Sequence, residues 1–283
     1  MKFRTLQANG KPGDELAIDV TLAERWLVAF LRDELVRRRR MTKAVVGVSG
    51  GVDSAVVAHL CAKALGPANV LGVCMPYKTS SGPSRRHGEL VIRETGIRGL
   101  TIDISDAVDG YLRCEPAASP QRRGNAMARM RMIVLFDQSA KIGGLPVGTG
   151  NKSERMFGYF TWHADDSPPI NPIGDLFKTQ VWALARHLGV PRQIVNKPAT
   201  ADLIRGQTDE EDLGITYELA DRILRRILMG YTPDDIIAQG FDPGDVRLVA
   251  SRVAATHWKR HLATTAMIST TAINEYYLRP VDY

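Results

Sequence analysis

The stretch AVVGVSGGVDSAVVAHL, residues 44–60, joins a short apolar run to a pair of glycines and then to polar side chains. Gly50 and Gly51 carry no Cβ, so the backbone can turn sharply there and a ligand can approach it closely. Free N–H groups at the start of a following helix favour an anion, and Asp53 and Ser54 add a carboxylate and a hydroxyl nearby. These residue types predict a phosphate-binding turn.

The turn differs from two common phosphate-binding motifs. A P-loop requires a lysine followed by serine or threonine after its glycines, and dinucleotide-binding folds use GxGxxG; residues 47–54, GVSGGVDS, match neither pattern. An ordinary strand-to-helix turn with Ser49 as the helix cap is the alternative. The carboxylate and the hydroxyl at fixed offsets behind a buried strand favour phosphate binding.

The segments around the turn alternate between two hydrophobic periods. Residues 44–48 are apolar and rich in valine, as is typical of a strand covered on both faces, whereas residues 52–65 have helical spacing. Strands separated by helices predict an α/β fold with a doubly wound, mostly parallel sheet, whose ligands lie at the carboxyl ends of strands. Further strands are predicted at 70–74, 100–104 and 145–147, and further helices at 89–96 and 125–142.

Helical patterns flank this alternating part of the chain. We expect one domain over residues 1–283, composed of an N-terminal arm (1–20), an α/β core (41–212) and a helical C-terminal region (213–283). Helices are predicted at 21–39, at 178–188 after a proline-rich link, and at 217–229, 233–239 and 246–256.

Composition and charge narrow the class of protein. With 44% hydrophobic and 24% charged residues, 283 residues are typical of a soluble globular protein, and the polar N-terminus predicts a cytoplasmic location without a membrane partner. The net charge of +6 is consistent with an anionic ligand, but no aromatic side chains alternate with basic ones, so nothing requires a nucleic acid partner. Cys61, Cys74 and Cys114 lack the spacing of a disulfide framework or a zinc site.

Several longer motifs carry a family resemblance. SGGVDS at 49–54 resembles the pyrophosphatase loop of the N-type ATP pyrophosphatases. Residues 41–222 resemble the ammonia-dependent NAD synthetases, through GNAMARMRM (124–132), VGTGNKSE (147–154), NPIGDLFKTQV (171–181) and KPATADLIRGQTDEEDLGITY (197–217). The resemblance implies an adenine nucleotide α-hydrolase-like fold. It also implies ATP as co-substrate and amidation of nicotinic acid adenine dinucleotide to NAD by way of an adenylated carboxylate.

The resemblance assigns roles to residues on the ATP side. It implies that Asp53 and Glu154 bind Mg²⁺, and that these two and Lys178 are catalytic. Two carboxylates at neighbouring strand ends suit a hard cation that prefers oxygen ligands, although an exposed carboxylate or lysine is more often simply solvated. The implied ATP contacts are Gly47, Val48, Ser49, Gly50, Gly51, Val52, Asp53, Ser54, Thr149, Lys178 and Thr200.

The dinucleotide side departs from the family pattern. The resemblance assigns substrate contacts to Arg129, Trp162, His257 and Lys259, but many members have TKYGDGG followed by Asp-Ile-Asn-Pro where this chain has FTWHADDSPPINP. Trp162 stands in place of the lysine and Pro169 in place of the aspartate. Trp162 could stack on a flat ring, or the segment could be a packed loop without a ligand role.

Further expectations concern partners and alternatives. The resemblance implies a homodimer, with residues 21–39 and 125–142 as candidate contacts. Only about 40 residues precede the first strand, so no amidase domain is expected and free ammonia, or ammonia from a separate subunit, is the implied nitrogen source. Residues 79–88 are a candidate lid. The alternatives are another adenylating enzyme, acting on a different carboxylate or on tRNA, and a non-catalytic ATP-binding relative.

Overall fold

The apolar run before the glycine pair forms an inner strand of a parallel sheet. The computed structural model describes residues 15–200, 206, 208–261, 264–269 and 271. The sheet has four parallel strands in the order β3-β2-β1-β4, so each crossover connection carries at least one helix. The strands are β1 (Ala44–Gly47), β2 (Val70–Cys74), β3 (Arg98–Thr101) and β4 (Leu145–Val147).

Helices cover both faces of this sheet, as the doubly wound prediction requires. Ala44 and Val46 of β1 pack into one hydrophobic cluster, whereas Val45 points to a second cluster on the opposite face. The helices are α1 (Val20–Arg32), α2 (Val52–Leu65), α3 (Gly82–Thr95), α4 (Ser105–Leu112), α5 (Pro120–Ile142), α6 (Lys152–Phe157), α7 (Lys178–His187), α8 (Arg192–Val195), α9 (Asp209–Leu213), α10 (Tyr217–Leu228), α11 (Pro233–Ala238) and α12 (Pro243–Ala255).

The two faces carry different helices. Helices α1, α2, α3 and α7 lie on the side of Val46, and α4 and α5 lie on the side of Val45. A third hydrophobic cluster joins α6 and α7 to the C-terminal helices α10, α11 and α12. Residues from both α2 and the C-terminal helices therefore approach α6 and α7 near their starts.

Three helices begin earlier than the sequence pattern predicted. Helix α3 begins at Gly82 and not at 89, so the candidate lid at 79–88 forms its first turns. Helix α5 begins at Pro120 and not at 125, and α12 begins at Pro243 and not at 246. Each start has a polar cap followed by proline, which supplies a suitable φ and needs no N–H partner in the first turn.

Other elements agree with the predictions to different degrees. Helix α2 and strands β2 and β4 have the predicted bounds, whereas β3 ends at Thr101 and α4 was not predicted. The predicted helix at 21–39 is α1 continued by a π-helical segment, Asp33–Arg38. No helix in the described part of the chain is long and apolar enough to cross a membrane.

Candidate active site

The glycine turn between β1 and α2 is held by its own serines. The hydroxyls of Ser49 and Ser54 lie 3.0 Å apart, and the Ser54 hydroxyl also donates to the Gly51 carbonyl over 3.0 Å. Gly50 has a φ of +80°, and a Cβ there would lie 2.1 Å from the Ser84 carbonyl oxygen of α3. Glycine is therefore required at this position both for the backbone conformation and for the close approach of α3.

Behind the turn, one ammonium group bridges two carboxylates. Nζ of Lys178 lies 2.6 Å from Oδ2 of Asp53 and 3.3 Å from Oε1 of Glu154. The lysine side chain is 3% exposed, compared with 16% and 19% for the two carboxylates. These residues lie in the first turns of three different helices, α2, α6 and α7, whose N-termini converge at the carboxyl edge of the sheet. The three predicted catalytic residues therefore lie in direct contact.

Asn151 connects the two carboxylates from the other side. It is fully buried, and its side-chain amide donates to Oδ1 of Asp53 over 2.9 Å. The same side chain accepts the N–H of Glu154 over 2.9 Å. The Glu154 carboxylate in turn accepts the N–H of Asn151, which completes a capping box for α6. One asparagine thus fixes the positions of both predicted metal ligands. Asn151 was not among the predicted site residues, although Asn followed three residues later by Glu is a capping signal.

The electrostatics of this group follow from burial and from the surrounding charges. Burial raises the pKa of Glu154 to about 8, and the Asp53 and Asp209 carboxylates add to that rise while the Lys178 ammonium opposes it. Burial lowers the pKa of Lys178, but the carboxylates of Asp53 and Glu154 outweigh it and the net shift is upward. The lysine is therefore held in its charged form.

Asp53 and Glu154 are the side chains of this group that could hold a metal ion. Oxygens from Asp53 and Glu154 converge on a single cationic group, which shows that they can face one cation. No cluster of three or more potential metal-binding side chains occurs among the described residues. Two protein carboxylates suit Mg²⁺, because this ion keeps several waters and also binds substrate phosphates. They are too few for a metal that is held entirely by protein ligands.

A cleft opens beside the turn at the carboxyl ends of β1, β2 and β4. Thr149 lies on its wall, as does Arg131, whose Nε donates to the Met75 carbonyl over 3.2 Å. A role for Arg131 was not predicted. Its spacing of two residues from Arg129 showed only that the two side chains lie on different faces of the helix. Thr200 ends the described stretch 15–200 and does not line this cleft. The wall also includes Gly47, Val48, Ser49, Met132, Leu135, Gly148, Asp165 and Pro168.

Three of the four predicted substrate contacts form a second, more exposed group. Arg129 donates to the Trp162 carbonyl over 3.0 Å, and the Lys259 ammonium donates to the carbonyls of Gly158 and Phe160. Arg129, Trp162 and Lys259 therefore meet along one short segment that leaves α6. These contacts are made by backbone carbonyls, in contrast to the side-chain network around Lys178.

Trp258 adds an aromatic side chain to this group. Its ring meets the Trp162 ring edge-on with centroids 5.2 Å apart, and the His163 ring lies 3.9 Å from Trp162 on the other side. His257 instead points to the ring of His261 and bonds locally to the Ala254 carbonyl. Trp258 was not predicted, although both of its neighbours were, because its proximity to Trp162 depends on tertiary structure.

Comparison with known proteins identifies the family of the chain. A family model described as NAD synthase matches residues 24–263. The NH(3)-dependent NAD(+) synthetase of Trichlorobacter lovleyi is 46% identical over 269 residues, which cover 95% of this chain and 98% of the relative. The NH(3)-dependent NAD(+) synthetase of Chlorobaculum tepidum is 46% identical over 255 residues, which cover 90% of this chain and 92% of that relative.

Solved structures of synthetases have a similar fold. An NMN synthetase from Francisella tularensis superimposes with a TM-score of 0.79 at 29% identity, covering 88% of this chain and 99% of that protein. An NH3-dependent NAD synthetase from Campylobacter jejuni gives a TM-score of 0.76 at 26% identity, with 88% and 100% covered. The chain belongs to the NAD synthase family.

Proposed function

We propose that this chain is an ammonia-dependent NAD synthetase that adenylates the nicotinate carboxylate of nicotinic acid adenine dinucleotide and then amidates it. The single observation that carries the proposal is the contact of Lys178 with Asp53 and Glu154 directly behind the glycine turn. Phosphate-binding backbone, a cation and two metal-ligand carboxylates are the groups that a phosphoryl-type transfer requires. Relatives of 46% identity that carry this activity in their names support the choice of substrates.

The first step converts a carboxylate oxygen, which is a poor leaving group, into part of AMP, which is a good one. A nicotinate carboxylate oxygen attacks the α-phosphorus of ATP, the bond to the bridging oxygen breaks, and pyrophosphate leaves with its electron pair. The N–H groups of residues 49–54 and the Lys178 ammonium would hold the departing phosphates, which carry growing negative charge. No covalent protein nucleophile is required, since the work is alignment and charge neutralisation.

The second step uses the mixed anhydride formed in the first. Ammonia attacks the activated carbonyl carbon, AMP leaves with the former carboxylate oxygen, and the amide nitrogen releases a proton. The product is NAD. The cleft beside the turn, which Thr149 and Arg131 help to form, is where we place the adenosine part of ATP.

Asp53 and Glu154 would hold Mg²⁺. When bound, the ion would neutralise phosphate charge and help to orient the phosphates of ATP. In this arrangement the Lys178 ammonium would contact a phosphate oxygen. Asn151 would keep both carboxylates in place throughout, because it donates to Oδ1 of Asp53 and Oε2 of Glu154, the oxygens that do not contact Lys178.

The dinucleotide would lie along the segment that leaves α6. Trp162 and Trp258 present aromatic rings at an exposed site, where stacking on a base or on nicotinate can replace the charged contact of a lysine. Arg129 supplies a guanidinium next to them. Lys259 fixes the backbone of the segment and lies 4.4 Å from the centroid of the Phe160 ring.

A homodimer is also part of the proposal. Ile133 and Phe136 on α5 are 61% and 41% exposed, and Tyr111 on the adjacent α4 is 57% exposed. Large apolar side chains grouped on one face are typical of an interaction surface, and Arg129 lines the same groove as Ile133. Sedimentation velocity should show a dimer that Ile133→Lys dissociates. A wild-type monomer would contradict this part of the proposal.

A second candidate is amidation of the corresponding mononucleotide. Two observations favour it: the structural similarity to an NMN synthetase, and the substitution of Trp162 and Pro169 for charged family residues on the dinucleotide side. The kcat/KM values for nicotinic acid adenine dinucleotide and nicotinic acid mononucleotide separate the two candidates. We expect the dinucleotide to be preferred, and a preference for the mononucleotide would establish the second function.

Isotope transfer tests the proposed chemistry itself. The purified protein is incubated with Mg²⁺, ATP, ammonium and dinucleotide labelled with ¹⁸O in the nicotinate carboxylate. Adenylation predicts one ¹⁸O atom in the phosphate of each AMP, because that oxygen leaves with AMP in the second step. Unlabelled AMP would show that ATP is hydrolysed separately, and the proposed mechanism would be wrong.

A further inference from the structure

Asp221 lies outside the group that contacts the proposed substrates, yet it bonds to the elements that carry Glu154 and Lys178. It is on α10 in the C-terminal helical region, and it is fully buried. A buried carboxylate is unfavourable unless it is hydrogen-bonded or paired, so its partners show what it stabilises. Those partners are on α6 and α7.

The carboxylate of Asp221 accepts three hydrogen bonds. Oδ1 accepts the hydroxyl of Ser153, and Oδ2 accepts both the backbone N–H and the hydroxyl of Thr179, over 3.0 Å and 2.8 Å. The Ser153 hydroxyl oxygen in turn accepts the backbone N–H of Lys178 over 2.9 Å. The first two N–H groups of α7 are thus satisfied by Asp221 and its serine partner.

This arrangement serves as a helix cap supplied by another helix. The residue before α7 is Phe177, whose side chain has no oxygen or nitrogen that could accept an N–H. A carboxylate at a helix N-terminus also interacts favourably with the helix dipole. Burial raises the pKa of Asp221, whereas the hydrogen bonds from Ser153 and Thr179 stabilise its ionised form.

We propose that Asp221 is a positioning residue that sets the relative placement of Glu154 and Lys178. Ser153 immediately precedes Glu154, and Thr179 immediately follows Lys178, so one carboxylate holds the backbone beside both residues. The C-terminal helices thereby determine the distance between a proposed metal ligand and a proposed phosphate contact. The inference rests on the roles proposed above for Glu154 and Lys178.

The test measures binding as well as activity in the full-length protein. Asp221→Asn keeps the shape of the side chain but removes its charge and one acceptor. Isothermal titration with Mg²⁺ and α,β-methylene-ATP should show affinity reduced by about tenfold, since residues that orient metal and phosphate ligands have effects of that order. The KM for ATP should rise by a similar factor.

A matched variant separates positioning from general destabilisation. Ile223→Val lies two residues away on α10 in a fully buried position without polar contacts, so it should lower the melting temperature and leave nucleotide affinity unchanged. If Asp221→Asn behaves like Ile223→Val, lowering only the melting temperature, Asp221 is structural and the inference is wrong.

Ser153→Ala provides a second route if Asp221→Asn fails to fold. It removes the hydroxyl between Asp221 and the Lys178 N–H, and we expect a smaller loss of affinity for the same nucleotide analogue. Unchanged affinity would overturn the inference. Lys178→Met tests the proposed function separately: if it binds the analogue as the wild type does, the phosphate role of Lys178 fails whatever Asp221 does.

Discussion

The proposed ATP side and the proposed dinucleotide side of the site are built in different ways. Around Lys178, charged and amide side chains contact one another in a buried network that includes Asp53, Glu154 and Asn151. Around Trp162, the contacts are between aromatic rings, or from cations to backbone carbonyls, and the side chains are more exposed. The first group matches the family motifs, and the second departs from them.

The difference reflects how strongly each region constrains its residues. A buried charge requires a partner of opposite charge and fixed geometry, so a change in one member of the Lys178 network disturbs all the others. An exposed ring can stack on a flat ligand in several orientations and needs no matched partner. We infer that phosphate chemistry permits few solutions, whereas recognition of the dinucleotide permits several.

The largest effect should come from removing the central charge of the buried network. Lys178→Met keeps the length of the side chain but leaves the two carboxylates without their common partner. We expect kcat/KM to fall by about 10²- to 10³-fold, as when one preorganised donor to a transition state is lost. Steady-state assays of AMP release measure this. Lys152→Met, which removes an ion pair to the exposed Asp175, is the control.

A backbone change should also act strongly on the ATP side. Gly50→Ala places a Cβ within 2.1 Å of the Ser84 carbonyl oxygen, so α3 or the turn must move. A displacement near 1 Å can cost about 10²-fold in rate. Gly230→Ala is the matched control, because Gly230 also has a positive φ but has no atom within 4 Å of the added Cβ. Equal activity of the two variants would show that contact between α3 and the turn is unimportant.

Replacing Asn151 tests whether the network or the helix cap matters more. Asn151→Ala removes both the contact to Asp53 and the cap of α6, and we expect about tenfold lower kcat/KM with about 1 kcal/mol lower stability to unfolding. Asn151→Ser keeps a capping hydroxyl, so denaturation should show near-normal stability while activity stays low. Full activity in the serine variant would mean that the contact to Asp53 is dispensable.

The smallest effect, and the most selective, should come from the dinucleotide side. Trp162→Ala removes a stacking surface worth about 1 kcal/mol, so the KM for the dinucleotide should rise roughly fivefold. The KM for ATP should stay unchanged, which distinguishes this variant from the three above. Trp26→Ala, at a tryptophan on α1 that is 63% exposed, is the control. An unchanged dinucleotide KM would make the segment a packed loop.

Local patterns predicted much of the fold. They failed at helix starts where the composition is typical of a loop but the capping residues indicate a helix. Helix α2 follows directly from its apolar spacing, and all four strands were located. Helices α3, α5 and α12 start in polar turns that resemble loops in composition. Their capping residues and following prolines, as at Ser119 and Pro120, mark the true starts and carry more information than hydrophobic spacing.

Motif resemblance predicted the members of the proposed site but not the contacts between them. Motif resemblance named Asp53, Glu154 and Lys178, yet Lys178 is 125 residues from Asp53 along the chain, and only the fold brings them within 2.6 Å. Asp221 carries no motif signal, since an aspartate within an amphipathic helix is usually solvated. Its role depends on two helix starts that the sequence does not place beside it.

The most direct test of the central claim is a coupled assay of both products. The purified protein is supplied with Mg²⁺, ATP, ammonium and nicotinic acid adenine dinucleotide, and NAD and AMP are measured together. We predict equal amounts of the two products, both lowered about 10²-fold by Asp53→Ala. ATP binding without either product, or AMP without NAD, would contradict the proposal that the buried network serves amidation of this dinucleotide.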